Sequence, residues 1–158
     1  MTTSSKINDQ INTELSTLYD RDVHDWLETT IAQLKQGKLQ ELDAEHLIEE
    51  LEGLAGRDRR EIEQRLKVLI EHLLKRCYVN LPECDRAWEI TIINQRSELI
   101  GLLEQSPSLK HHFLHVFDRA FQTALRIVQL EYPDTNFPAT WQFSQEITVV
   151  LNEQFWLS

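Results

Sequence analysis

Glycine and proline are scarce, four of each in 158 residues, where ordinary usage of the pair would be roughly 12%. Turn-rich β sandwiches and barrels need more of both, so the shortage speaks against them and for helices. Cysteine is nearly missing. Cys77 and Cys84 are the only two, with neither C-x-x-C spacing nor a second ligand pair, which argues against a disulfide scaffold, a dithiol redox site or a zinc module. No apolar run approaches the ~20 residues of a membrane span, and the first thirty residues lack the apolar stretch of a signal peptide. A cytoplasmic protein with thiol cysteines and no membrane contact is therefore expected. Positive charge is also short: 16 Lys and Arg against 26 Asp and Glu leave a net charge of -10. Such a surface repels a phosphate backbone, so nucleic acid is not an expected partner. The catalytic signatures G-x-S-x-G and H-E-x-x-H and the phosphate-binding loop G-x-G-x-x-G are absent as well.

What is present is helical periodicity. A chain of this length buries roughly 68 to 70% of its unfolded surface, enough for a core without metals or disulfides. The first stretch, 1–17, is polar with only Ile7, Ile11 and Leu15 as apolar marks, and reads as a flexible arm. From Asp20 to Gln36, Val23, Trp26, Leu27, Ile31 and Leu34 recur at helical spacing, with Gly37 placed to end the helix in a left-handed conformation. Asp43 is positioned to cap a second helix, with Leu42 and Leu47 as a hydrophobic staple and Leu47, Leu51 and Leu54 as its inner face. Gly53, Gly56 and the box Asp58 to Glu61 suggest a break or a kink, so that 43–80 reads as two helices or one bent one.

Beyond it, Ile62, Leu66, Leu69, Ile70, Leu73 and Cys77 form a stripe that ends at Leu81-Pro82. A further helix is expected from about Arg86 to Gln105, and another after Ser106-Pro107, carrying Leu109, Phe113, Val116, Phe117, Ala120, Ala124 and Val128 as far as Tyr132-Pro133. A short helix near 144–152 and an apolar end, Phe155-Trp156-Leu157, complete the chain. The fold class is all-α, an antiparallel helical bundle of about four long helices plus a short C-terminal helix, occupying 18–158 as a single domain.

Several segments together resemble a bacterial family, the domain of unknown function 29. They are Leu42-Asp43 with Leu47 to Glu52, the stretch from Arg59 to Lys75, Trp88 with Thr91-Ile92 and Gln95-Arg96, and Ser106 to Leu109. Their order and separations match, and the similarity runs from Tyr19 to Trp156. The chain departs from the pattern at His46, where the family more often has Asn, and at Ala139 to Phe143, which lacks a Cys-Pro. The resemblance implies a mainly helical bundle in the bacterial cytoplasm and transfers no catalytic residue.

Two functional readings follow. The leading one is a non-enzymatic module for protein-protein interaction or self-association, without a cofactor. Its candidate surface is aromatic: Trp141, Phe143, Phe155, Trp156 and Leu157 lie in segments too short for core helices, and such side chains either close a core or form an interface. The alternative is a metal-binding bundle enzyme with carboxylates and His46, His72, His111 or His115 as ligands. Only one half of the paired motif of di-iron bundles is present, Asp43-x-x-His46. His111 and His115 stand one turn apart, a spacing that can grip a divalent metal, but they lie opposite the Phe113 face, which favours an exposed position over inward ligation. The basic stretch Arg57 to Arg76, net +3, would serve a nucleic-acid role through Arg57 and Arg60, but pairs such as Arg59 with Glu63 absorb its charge.

Overall fold

The computed structural model describes residues 2–157; Met1, at the head of the expected arm, and Ser158, at the end of the expected bundle, lie outside the described residues. Its architecture is all-α, with no strand among the described residues. Six α-helices follow in order: α1 (Thr2–Arg21), α2 (Val23–Lys35), α3 (Ala44–Tyr78), α4 (Pro82–Gln105), α5 (Leu109–Glu131) and the short α6 (Ile147–Asn152). Single 3₁₀ turns lie at Leu39–Glu41 and Phe155–Leu157. The four long helices expected from periodicity are α2 to α5. The stretch 1–17, expected as an arm, is helical over its described residues and belongs to α1, with Leu15 buried.

The chain forms two compact units, Met1–Gly56 and Arg57–Ser158, so the division falls near residue 56 rather than residue 17. In the first, α1 and α2 are separated by Asp22 alone, whose carboxylate accepts from the Asp25 amide at 3.0 Å and caps α2. Gly37 turns the chain out of α2 with φ at 71°, the left-handed region expected for it. Asp43 caps α3 from both sides of its backbone: its carbonyl accepts from the Leu47 amide at 3.1 Å, and its carboxylate faces the His46 amide at 3.4 Å. No break follows. α3 is one helix through Gly53, Gly56 and the Asp58 to Glu61 box, because the i to i−4 ladder needs only backbone groups and glycine retains them, at a cost of about 1 kcal/mol each.

The second unit holds the core. Ile62, Leu66, Leu69, Ile70 and Leu73 of α3 are all within 1% of complete burial, against Trp88, Ile92 and Leu99 of α4 and Phe113, Phe117 and Val128 of α5. Ion pairs give the directions. Arg76 meets Asp85 and Glu89 while Arg65 meets Gln95 and Glu98, so α4 runs antiparallel to α3. Glu63 pairs with Arg119 and Lys75 with Glu131, so α5 runs parallel to α3 and antiparallel to α4. Both connections are three residues long. The first ends on Pro82 at the opening of α4, four residues ahead of the expected start, since proline lacks only an amide that the first turn leaves free anyway. α6 docks on α4: buried Arg96 donates to the Val150 and Glu153 carbonyls at 3.1 and 2.6 Å, satisfying the end of that short helix.

Candidate functional site

Polar chemistry in the first unit converges on Asp43. Its Oδ2 accepts from Trp26 Nε1 at 3.2 Å and from His46 Nδ1 at 2.6 Å. Tyr19 stacks on the His46 ring at 3.9 Å between centroids, meets Trp26 edge-on at 5.1 Å, and donates its hydroxyl to Glu50 at 2.7 Å. Three helices are tied together by one knot of side chains. The Glu50 hydrogen bond, burial and the nearby carboxylates of Glu49 and Asp20 push the Tyr19 hydroxyl up to about 12. The hydrogen bond to Asp43 holds His46 above its ordinary value, against an opposing effect of burial. His46 is thus an Asp43-bound, ring-stacked residue of the knot.

The knot decides which way α3 faces. His46 and Glu50 turn inward, and Ile48, Leu51 and Leu54 turn outward, more than half exposed at 56, 56 and 53%. The expected inner face is therefore corrected: Leu47 is half-buried, but Leu51 and Leu54 are on the surface. Periodicity told which residues share a face; the polar contacts to Tyr19 told which face is covered. Val23, Ile31 and Leu34 of α2 are exposed likewise, along with Leu39 and Ile7. Among the described residues of this unit only Leu15 and Trp26 are buried apolar side chains. Carboxylates lie on the Ile48 side of the α3 stripe. Glu45, Glu49 and Glu52 are exposed and make no ion pair with any described residue. Residues 1–56 carry 4 basic and 12 acidic side chains, net -8.

The remaining histidines are placed apart. His72 is half-buried, its Nδ1 donating to the Val68 carbonyl at 2.8 Å, and burial holds it below its ordinary value. His111 and His115 are exposed on α5. No group of three or more His, Cys, Asp or Glu among the described residues is arranged to hold a metal ion. Both cysteines are free, and burial pushes the Cys77 thiol up to about 11, away from thiolate reactivity. Glu63, expected to pair with Arg59, instead takes a two-pronged bond from Arg119 at 2.6 and 2.7 Å.

The C-terminal aromatics gather on the second unit. Trp141 contacts Phe117, Phe121, Phe143 and Phe155 edge-on, and Phe143 stacks on Phe155 at 4.5 Å. Phe155 is buried, Trp141, Phe143 and Trp156 are half-buried, and Arg76 lies over the Trp156 ring at 5.2 Å. Leu157 alone of the five is largely exposed, at 73%. Sequence reasoning missed the Tyr19 and Glu50 members of the first knot, which stand 31 residues apart. The Asp43-x-x-His46 spacing was the one available signal.

Fold and surface together define an all-α helical-bundle protein whose exposed chemistry is apolar and acidic. The chain belongs to the family described as domain of unknown function DUF29, whose model matches residues 18–156. No curated protein and no solved structure matches it. No helix among the described residues is long and apolar enough to cross a membrane.

Proposed function

We propose that this chain is a non-enzymatic helical module for protein-protein interaction in the bacterial cytoplasm, engaging its partner through the first unit. One observation carries the reading: a unit that buries only Leu15 and Trp26 among the apolar side chains of its described residues leaves Ile48, Leu51, Leu54, Val23, Ile31 and Leu34 in solvent. Scattered apolar residues on a surface are ordinary, but a set that repeats at helical spacing on one element is the mark of a contact face. The C-terminal aromatics support a different role. They pack on their own unit, leaving Leu157 as the group that could extend to another molecule.

Binding of an apolar fluorescent dye to the native chain tests this reading. The folded protein is expected to bind it, and a variant with Ile48, Leu51 and Leu54 changed to Ser is expected to lose most of that binding while keeping its helical circular dichroism. A native chain that binds no dye, or a variant that unfolds, would show that the stripe is covered within the molecule and overturn the reading.

A further inference from the structure

We infer that the occupant of the α3 stripe is a basic amphipathic helix of another protein rather than a second copy of this chain; the inference rests on the interaction reading above. Shape selects a helix. Ile48, Leu51 and Leu54 stand three residues apart and span about two turns, a narrow ridge that a facing helix matches with its own i, i+3, i+7 positions.

Charge selects its sign. Glu45 and Glu52 lie along the Ile48 edge of the ridge and Glu49 further round the same side, all three exposed and without an ion-pair partner among the described residues. The rest of the unit offers only Lys6, Arg21, Lys35 and Lys38 against its twelve carboxylates. A second copy docked ridge to ridge would set these glutamates against their own duplicates, and like charges across an interface oppose the wrong partner. Lysines or arginines along the matching side of an apolar stripe would instead face these carboxylates and speed the encounter.

The test uses the full chain and three synthetic peptides. One places Leu at every third and fourth position with Lys on both flanks, the second carries Glu in place of Lys, and the third has the composition of the first in scrambled order. Fluorescence anisotropy is expected to show binding of the Lys peptide alone, weakened at least about tenfold by Leu51→Asp and weakened again as added salt shortens the screening length. The triple variant Glu45→Lys, Glu49→Lys, Glu52→Lys changes only exposed side chains and is expected to reverse the preference, taking the Glu peptide. It keeps the test valid should Leu51→Asp disturb the fold.

Equal binding of the Lys and Glu peptides, or no reversal in the triple variant, would overturn the inference on charge and leave the interaction reading standing. Binding of the scrambled peptide as tightly as the ordered one would reduce the effect to general electrostatics and overturn it too. No peptide binding, with a dimer by light scattering that Leu51→Asp dissociates, would identify a second copy as the occupant and overturn the inference while sparing the reading. No binding and no dimer, in a chain that also fails to take up the dye, would remove both.

Discussion

Asp43 carries more of the first unit than any other side chain, because three donors converge on one carboxylate. Trp26 Nε1, His46 Nδ1 and the His46 amide all face it. Asp43→Ala strands the buried indole N–H and removes the α3 cap together. A loss of about 1 to 3 kcal/mol is expected in denaturant unfolding, and a loss below ~0.5 kcal/mol would show that water replaces the carboxylate at no cost. The same bond sets a pH dependence. His46 is held above 6.5 in the folded chain, so its contribution to stability is complete below that value and is lost as pH rises through the raised folded value. His72 works the other way. Burial holds it below 6.5, so its contribution is complete above 6.5 and is lost as pH falls through the lowered folded value. The melting-temperature difference between wild type and His46→Gln is expected to shrink towards alkaline pH, and that for His72→Gln to shrink towards acid. Parallel trends would refute the opposite environments. Two glycines differ in the same manner. Gly37 sits at positive φ and Gly53 within α3, and nothing crowds a β-carbon at either. Gly37→Ala is expected to destabilise by about 1 kcal/mol and Gly53→Ala to stabilise by a similar amount, with thermal melts of the two variants as the check.

At the scale of elements, legibility followed the core. α5 was readable because its apolar stripe is continuous from Leu109 to Val128, and every fully apolar position expected to point inward between Phe113 and Val128 is buried. Leu69 and Phe117 are completely buried at the middle of this packing. Leu69→Ala is expected to cost about 2 to 5 kcal/mol and Phe117→Ala about 3 to 5 kcal/mol; small losses at both would mean the helices close over the deleted atoms. α3 was readable only in its second half. From Ile62 onward a clean stripe meets other helices, whereas before Gly56 the stripe of Leu47, Leu51 and Leu54 has the same periodicity without the same burial. Hydrophobic period is a local property, and orientation is a tertiary one. The contacts that fix orientation here, Tyr19 with Glu50 and with His46, join residues about thirty positions apart and are not written in any spacing. α1 was missed for a related reason: polar residues outnumber apolar ones along it, and its helicity leaves a weak apolar signal.

Across the whole molecule the two units differ in what holds them. The second has a cluster of buried aliphatic and aromatic side chains drawn from α3, α4, α5 and α6, while the first relies on Leu15, Trp26 and the polar knot around Asp43. It also keeps the side-chain oxygens of Asn12, Thr30 and Gln33 buried without a partner among the described residues, an arrangement that subtracts from stability. Local opening costs least where buried apolar contacts are fewest. Native-state hydrogen exchange on the full chain is therefore expected to protect amides of 62–74 and 113–128 at least about a hundredfold more than those of 23–35 and 47–54, a gap of roughly 2.7 kcal/mol. A ligand that binds the folded form of a unit raises its opening free energy with the logarithm of free ligand over its Kd. A basic amphipathic peptide that seats on Ile48, Leu51 and Leu54 is accordingly expected to slow exchange in 47–54 and leave 113–128 unchanged. Uniform protection along the chain without the peptide would show that the first unit is as firmly built as the second. The exposed stripe would then have to be maintained by contacts other than those of Leu15, Trp26 and Asp43.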